Sequence, residues 1–244
     1  MAKRTITAIL AAATMVGVGA CAPKDPNSAK VRAKTNIVGD PVDDFGTKKD
    51  PEIAASTHLA AGQMSENQGD LAAAVEQYEK TLAIDPKQPR AWYLLAALRA
   101  RMGQYDASIT AWQRYLKLVG NDAAAYANMG FTYDLADRFS DAEAAYKQAI
   151  AIDPMHKATR VNYGLMLAKA GQIDAATSHF AAVLPPAAVQ YNLASFHEQQ
   201  GDIDAARVAY SAALKIDPNF RDAKVRLAAL PTTRPVTQQS ASGE

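Results

Sequence analysis

The sequence predicts an all-α fold in which five similar helix pairs follow one another and a single helix closes the stack. Three observations carry this expectation. A residue pattern recurs at intervals of 34 along residues 55–220, and a fixed period of this size marks a repeat array. Within each interval, rings and small side chains recur three and four residues apart, the spacing of one helix face. Between those runs stand Gly-Asp, Gly-Gln or a proline at fixed places, where a helix turns or stops.

The clearest unit is Ala123–His156. Tyr126, Gly130 and Tyr133 hold unit positions 4, 8 and 11 on one stripe of a first helix. Ala142, Tyr146 and Ala149 hold positions 20, 24 and 27 on one stripe of a second. The small residues at 8 and 20 let two helices approach, and the rings fill the space around the contact. Pro154 then ends the unit, because proline cannot continue a helix interior.

The other units keep the same beat. Residues 55–88 carry His58, Gly62 and Ser65, a Gly69-Asp70 turn, then Ala74, Tyr78, Thr81 and Pro86. Residues 89–122 carry Trp92, Ala96 and Arg99, a turn at Gly103, then Ser108, Trp112 and Tyr115, with Gly120 in place of the closing proline. The fourth unit, residues 157–186, has Arg160, Gly164, Leu167, Gly171, Ala176, Phe180 and Val183, and Pro185-Pro186 cuts it to 30 residues. About one helical turn is thereby removed from its second helix. That shortening either bends or notches the stack beside Phe180 and Tyr191, or is a tolerated deletion. The fifth unit, residues 187–220, returns to 34 with Gln190, Ala194, His197, Gly201, Ala206, Tyr210, Ala213 and Pro218. A helical run over 221–230 caps the last face, with Arg221, Lys224 and Arg226 expected on its solvated side. The polar tail 231–244 has no core-forming pattern.

At these positions the units resemble the tetratricopeptide repeat (TPR) family. The resemblance implies a right-handed superhelix over residues 52–230 whose first helices line a concave groove. It also implies that unit positions 2, 5, 6, 9, 12 and 13 face the groove. Position 6 is Asn128, Asn162 and Asn192 in the last three units, offering donors and acceptors to an extended peptide backbone. The same asparagines would equally serve to brace the neighbouring unit. Around them stand Tyr93, Phe131, Val161, Leu165 and Tyr191. Arg90, Arg101 and Lys169 add positive charge, and Glu66, Asp134 and Glu198 negative. Position 5 holds no lysine, so the carboxylate clamp of cytosolic chaperone-binding members is missing, and an apolar or amphipathic segment fits better.

The chain begins with a different signal. Residues 1–20 run from Lys3 and Arg4 through a short apolar stretch to small residues, as a secretory leader does. Val18-Gly19-Ala20-Cys21 resembles the end of a bacterial lipoprotein signal, which implies cleavage before Cys21 and lipidation of its thiol. The alternative is an ordinary leader with an incidental cysteine. Ala22 rather than aspartate follows, which by resemblance to Gram-negative lipoproteins implies outer-membrane sorting, facing the periplasm. Residues 21–51 read as a proline-containing flexible linker. Ile37, Val38, Val42 and Phe45 give that linker apolar points, which either stay loose or rest on the first unit.

Composition and motif content narrow the function. The net charge is +1 with neutral histidine, so no basic excess calls for nucleic acid. A single cysteine excludes an intrachain disulfide. His58, His156, His179 and His197 show no i, i+4 metal spacing. No phosphate loop or nucleophile elbow exists. The expectation is no catalytic residue, no metal, no cofactor and no small-molecule substrate. What remains is a scaffold that binds a protein or peptide in its groove. The leader, linker and repeats together resemble pilus-assembly lipoproteins, namely the tight-adherence (Flp/Tad) pilus lipoprotein and the type IV pilus pilotins. That resemblance implies a secretin or pilus component as partner. A scaffold for cell-wall enzymes, or a part of an outer-membrane insertion or export machine, remains open beside it.

Overall fold

The computed structural model describes residues 54–231, which lie within one compact unit. The leader, Cys21, the linker and the tail beyond Pro231 lie outside the described residues. Eleven helices and no strand make up what is described. The pairs are α1 (Ala55–Asn67) with α2 (Leu71–Ile84), α3 (Pro89–Arg101) with α4 (Tyr105–Val119), and α5 (Ala123–Leu135) with α6 (Phe139–Ile152). They continue with α7 (Lys157–Lys169) and α8 (Ile173–Ala181), then α9 (Pro186–Gln199) and α10 (Ile203–Ile216), and α11 (Arg221–Ala229) closes the series.

Local chemistry sets these boundaries. Glycine with φ near +80° turns the chain between the helices of four pairs, at Gly69, Gly103, Gly171 and Gly201. Asp137 takes that place in the third pair at φ 57°, a conformation that aspartate tolerates better than most residues. Asp70, Asp122 and Asp202 then cap the following helices by accepting N–H bonds from Ala73, Ala125 and Ala205. At the far end the Ile-Asp-Pro sequences stop α2, α6 and α10. Asp85, Asp153 and Asp217 accept the N–H two residues on, at 3.0, 2.9 and 2.9 Å. α9 starts at Pro186 itself, where the missing N–H costs nothing.

The core is one contact repeated. The rings at position 24 are sealed: Tyr78, Tyr146, Phe180 and Tyr210 are 0 % exposed and Trp112 1 %. Opposite them lie Ala74, Ser108, Ala142, Ala176 and Ala206 at position 20, every one fully buried. Position 8 is where the ring meets backbone. A Cβ on Gly130 would lie 2.9 Å from the Tyr146 ring, and one on Gly164 only 2.6 Å from Phe180. In the second pair Ser108 satisfies its buried hydroxyl by donating to the Ala96 carbonyl at 2.7 Å.

Two features depart from the sequence reading. Position 4 was expected on the core stripe, yet His58, Trp92, Tyr126, Arg160 and Gln190 are only half-buried. Two of them act between pairs instead. Trp92 Nε1 donates to the Pro86 carbonyl at 2.9 Å and Arg160 Nε to the Pro154 carbonyl at 2.6 Å, each clasping the proline that ends the previous unit. Arg226 is exposed, as expected of the closing helix, and it also pairs with Glu198 of α9 at 3.0 Å. The second departure is the notch. α8 has 9 residues where the other second helices have 14 or 15. Beside the shortened helix lies an open hollow of about 250 Å³ lined by Ala181, Leu184, Pro186, Val189, Gln190 and Ile216. Phe180 and Tyr191 do not line it, because Phe180 is sealed in its own pair and Tyr191 packs on the Tyr210 ring at 5.5 Å.

Removing a ring tests the repeated contact. Tyr146→Ala is expected to lower the unfolding free energy by about 3–5 kcal/mol in a urea titration. Phe131→Ala, at an exposed ring, should cost about 1 kcal/mol or less. Equal losses would contradict the assignment of position 24 as core.

Candidate protein-docking groove

The first helices form the inner layer. α3 packs on α5, α5 on α7 and α7 on α9, while no two consecutive second helices pack as closely. A stack that is tighter on one side curves toward it, so the first helices face the concavity. On every first helix the residue at position 13 is exposed (Asn67, Arg101, Leu135, Lys169 and Gln199), whereas at position 9, on the same stripe, only Phe131 is. On α5 that stripe consists of Phe131 at 40 % exposure and Leu135 at 37 %.

The expected groove residues do different jobs. Tyr93 stands edge-on to Trp112 at 5.0 Å and to Tyr115 at 5.4 Å. Tyr191 packs on Phe220 at 5.2 Å as well as on Tyr210. These two rings are half-buried walls between neighbouring elements, and Val161 and Leu165 are half-buried against the core as well. The asparagines do not behave as a set. Asn128 Nδ2 reaches across to Tyr93 Oη of the preceding pair at 3.4 Å. Asn192 Nδ2 turns back to the Ala188 carbonyl of its own helix at 2.8 Å. Asn162 shares neither bond.

The charges of the groove are paired across units. Arg101 on α3 bonds Glu66 on α1, and Lys169 on α7 bonds Asp134 on α5 at 3.1 Å. Each partner lies 35 residues from the other. Arg226 repeats the arrangement on Glu198 at the closing helix. The acids also tie the floor to the core. Tyr78 Oη donates to Glu66 at 2.9 Å, and Tyr210 Oη donates to Glu198 at 2.7 Å. In the third pair the acid is Asp134, one carbon shorter, and the Tyr146 hydroxyl and Asp134 Oδ1 are both left without a partner. Sequence reading named these charges but not their pairing. The signal was available, since positions 12 and 13 of successive units both face the groove.

Burial and neighbouring carboxylates hold several tyrosines neutral. Burial first, and Glu198 second to it among the raising effects, pushes Tyr210 up to about 12, against an opposing Arg226. Burial and then Glu143 do the same for Tyr163, to about 12, and burial and then Asp122 for Tyr115, to about 12. His179, its ring tilted against Tyr163 at 4.6 Å, is pushed down by burial and by Arg160. Among the described residues no group of three His, Cys, Asp or Glu could hold a metal ion, and no helix is long and apolar enough to cross a membrane.

Comparison with known proteins follows the same lines. Models described as tetratricopeptide repeat match residues 88–155, 135–188 and 187–230, and one described as TPR repeat matches residues 67–103. A small glutamine-rich tetratricopeptide repeat-containing protein 2 of Mycosarcoma maydis is 27 % identical over 109 residues, 44 % of this chain and 31 % of that protein. Tetratricopeptide repeat protein 8 of Caenorhabditis elegans is 25 % identical over 164 residues, 65 % of this chain and 32 % of that one. The chain thus spans less than a third of either relative's length. Among solved structures, MamA superposes with a TM-score of 0.58 at 22 % identity, covering 72 % of this chain and 98 % of MamA. YrrB, described as a TPR protein with an unusual peptide-binding site, gives 0.52 at 20 %, covering 70 % of this chain and 91 % of YrrB. These likenesses show the fold.

The buried tyrosines predict an alkaline limit. A tyrosine free in the unfolded chain ionises near pH 10, whereas Tyr115, Tyr163 and Tyr210 keep their protons in the folded chain to about 12. Their contribution to stability is therefore complete below pH ~10 and is lost as pH rises through ~12. Melting temperature should stay level from neutral pH to about 10 and fall beyond it, and Tyr210→Phe should soften that fall. Tyrosinate absorbance that titrates fully near pH 10 without unfolding would contradict the burial.

Proposed function

Because this chain belongs to the tetratricopeptide repeat family, we propose that it works as a non-enzymatic docking scaffold, held to the periplasmic face of the outer membrane by a lipid on Cys21. In this reading the groove of the first helices receives a segment of a protein partner. The lipid restricts the encounter to the membrane surface, which raises the effective concentration of a membrane-bound partner. The assembly served is a pilus or secretion apparatus, with a secretin or pilus component as the partner.

One observation carries the docking role: the position-13 residues of all five first helices are exposed, and on α5 Phe131 stands exposed beside Leu135 in that row. A helix face with exposed Phe and Leu side by side is a surface suited to an apolar anchor from a partner. Support for a peptide in such a groove comes from YrrB, whose fold is similar and which is described as having a peptide-binding site. Support for the lipid is the run Val18-Gly19-Ala20-Cys21, with the chain's single cysteine directly after small residues. The pilus reading rests on the resemblance of leader, linker and repeats to pilus-assembly lipoproteins.

Two linked measurements test this function. Mass spectrometry of the mature full-length protein should find an N-terminal acylated Cys21, and Cys21→Ser should release the protein from membranes. Pull-down from detergent-solubilised membranes should recover a secretin or pilus component with wild-type protein and lose it in a Phe131→Ser, Leu135→Ser double variant. An unmodified mature N-terminus starting elsewhere would remove the anchor. Recovery of cell-wall enzymes alone would remove the pilus assignment while leaving the scaffold.

A further inference from the structure

We infer that the groove selects an uncharged segment presenting two large apolar side chains, and that its anchor point is Phe131 and Leu135 on α5. This rests on the groove being the docking face and specifies what that face accepts.

The charges decide it. Of the ionised side chains at groove positions, six are consumed in three pairs: Arg101 with Glu66, Lys169 with Asp134, and Arg226 with Glu198. The pairs alternate along the stack. They join the first unit to the second, the third to the fourth, and the fifth to α11. At the second-to-third junction the acid's place is taken by Ala100 and the base's place by Leu135. The floor between the first two ion pairs is therefore Ala97, Ala100, Phe131 and Leu135, with no charge of its own.

Exposure points to the same spot. Phe131 and Leu135 are among the large hydrophobics left exposed, at 40 % and 37 %; of the other first helices α3, α7 and α9 have none in that class, and Met64 of α1 stands at unit position 10, off the groove positions. They are four residues apart, so they stand side by side one helical turn from each other. A charged side chain brought onto this floor would lose its water without gaining a partner, unless it broke one of the flanking pairs. Asp134 offers no free contact either: it is 6 % exposed, Lys169 holds its Oδ2, and its unpartnered Oδ1 is sealed from solvent. The complementary occupant is thus neutral and apolar at the point of contact. Arg90, seven residues before Ala97 on α3, and Asp222 on α11 stand outside these pairs, and a ligand reaching for them would betray itself as acidic or basic.

The probe is a random-peptide display library selected on the full-length chain, followed by synthetic versions of the enriched peptides. Enriched sequences should share two large apolar residues and carry no shared charge. Their affinity should fall roughly tenfold or more with Phe131→Ser or Leu135→Ser and stay unchanged with Val208→Ser, which alters an exposed apolar residue on α10. Helical circular dichroism and melting of each variant verify that it is folded, as substitution at exposed positions predicts. Peptides that map to the groove by crosslinking but share an acidic or basic residue overturn the selectivity and leave the docking face intact. Peptides that map to the second helices, or a library that yields no binder, overturn both.

Discussion

An aromatic ring laid on a residue with almost no side chain is the interaction on which the rest depends. Each helix pair closes because a Tyr, Trp or Phe at position 24 covers backbone at position 8, where glycine or alanine leaves room, and lies beside a fully buried Ala or Ser at position 20. The contact lets two helices approach closely and removes a large apolar area from water at one point. It also sets the angle of the pair. A pair so closed cannot bury its other faces alone, so it must stack on a neighbour. Trp92 and Arg160 help by reaching back to the carbonyl of the proline that ends the preceding unit.

Stacking then produces the groove. The first helices meet each other along the inner side, so their position-9 residues point into a shared concavity. The ion pairs run across this floor from one unit to the next, and two of the acids also accept a bond from the ring hydroxyl beneath. The groove is thus braced through the same rings that close the pairs. Such bracing is worth more in rigidity than in stability, since half-exposed ion pairs contribute little each. What the pairs leave open is the apolar floor at α5, and a preorganised surface of this kind loses little entropy when a partner binds.

The architecture was legible because it rests on local rules repeated five times. Gly130, Ala142 and Tyr146 announce a close helix pair through spacing alone, and Asp-Pro at 85–86, 153–154 and 217–218 announces where second helices stop. The lost turn in α8 could also be counted from Pro185-Pro186. The groove was less legible. Asn128, Asn162 and Asn192 share one unit position, yet one braces Tyr93, one folds back on its own helix and the third does neither. Side-chain choices of that sort depend on the neighbour one unit away, which a single repeat does not contain. Position 4 misled for a related reason: Trp92 and Arg160 look like core or surface when read within a unit, and their partner is the end of the unit before. Chain length left a notch and a tolerated deletion equally open, and it could not give the lining, because Ile216 enters from the next pair.

The most direct test of the closing contact is hydrogen exchange on Gly164→Leu. That substitution forces a bulky side chain into the place where even a Cβ would sit 2.6 Å from the Phe180 ring. Amide protection should collapse first in α7 and α8, with neighbouring pairs following as they lose their stacking surface and α1 and α2 holding longest. Unchanged protection in α7 and α8 would show that the pair closes by some other contact, and the stacked groove built on it would lose its physical basis.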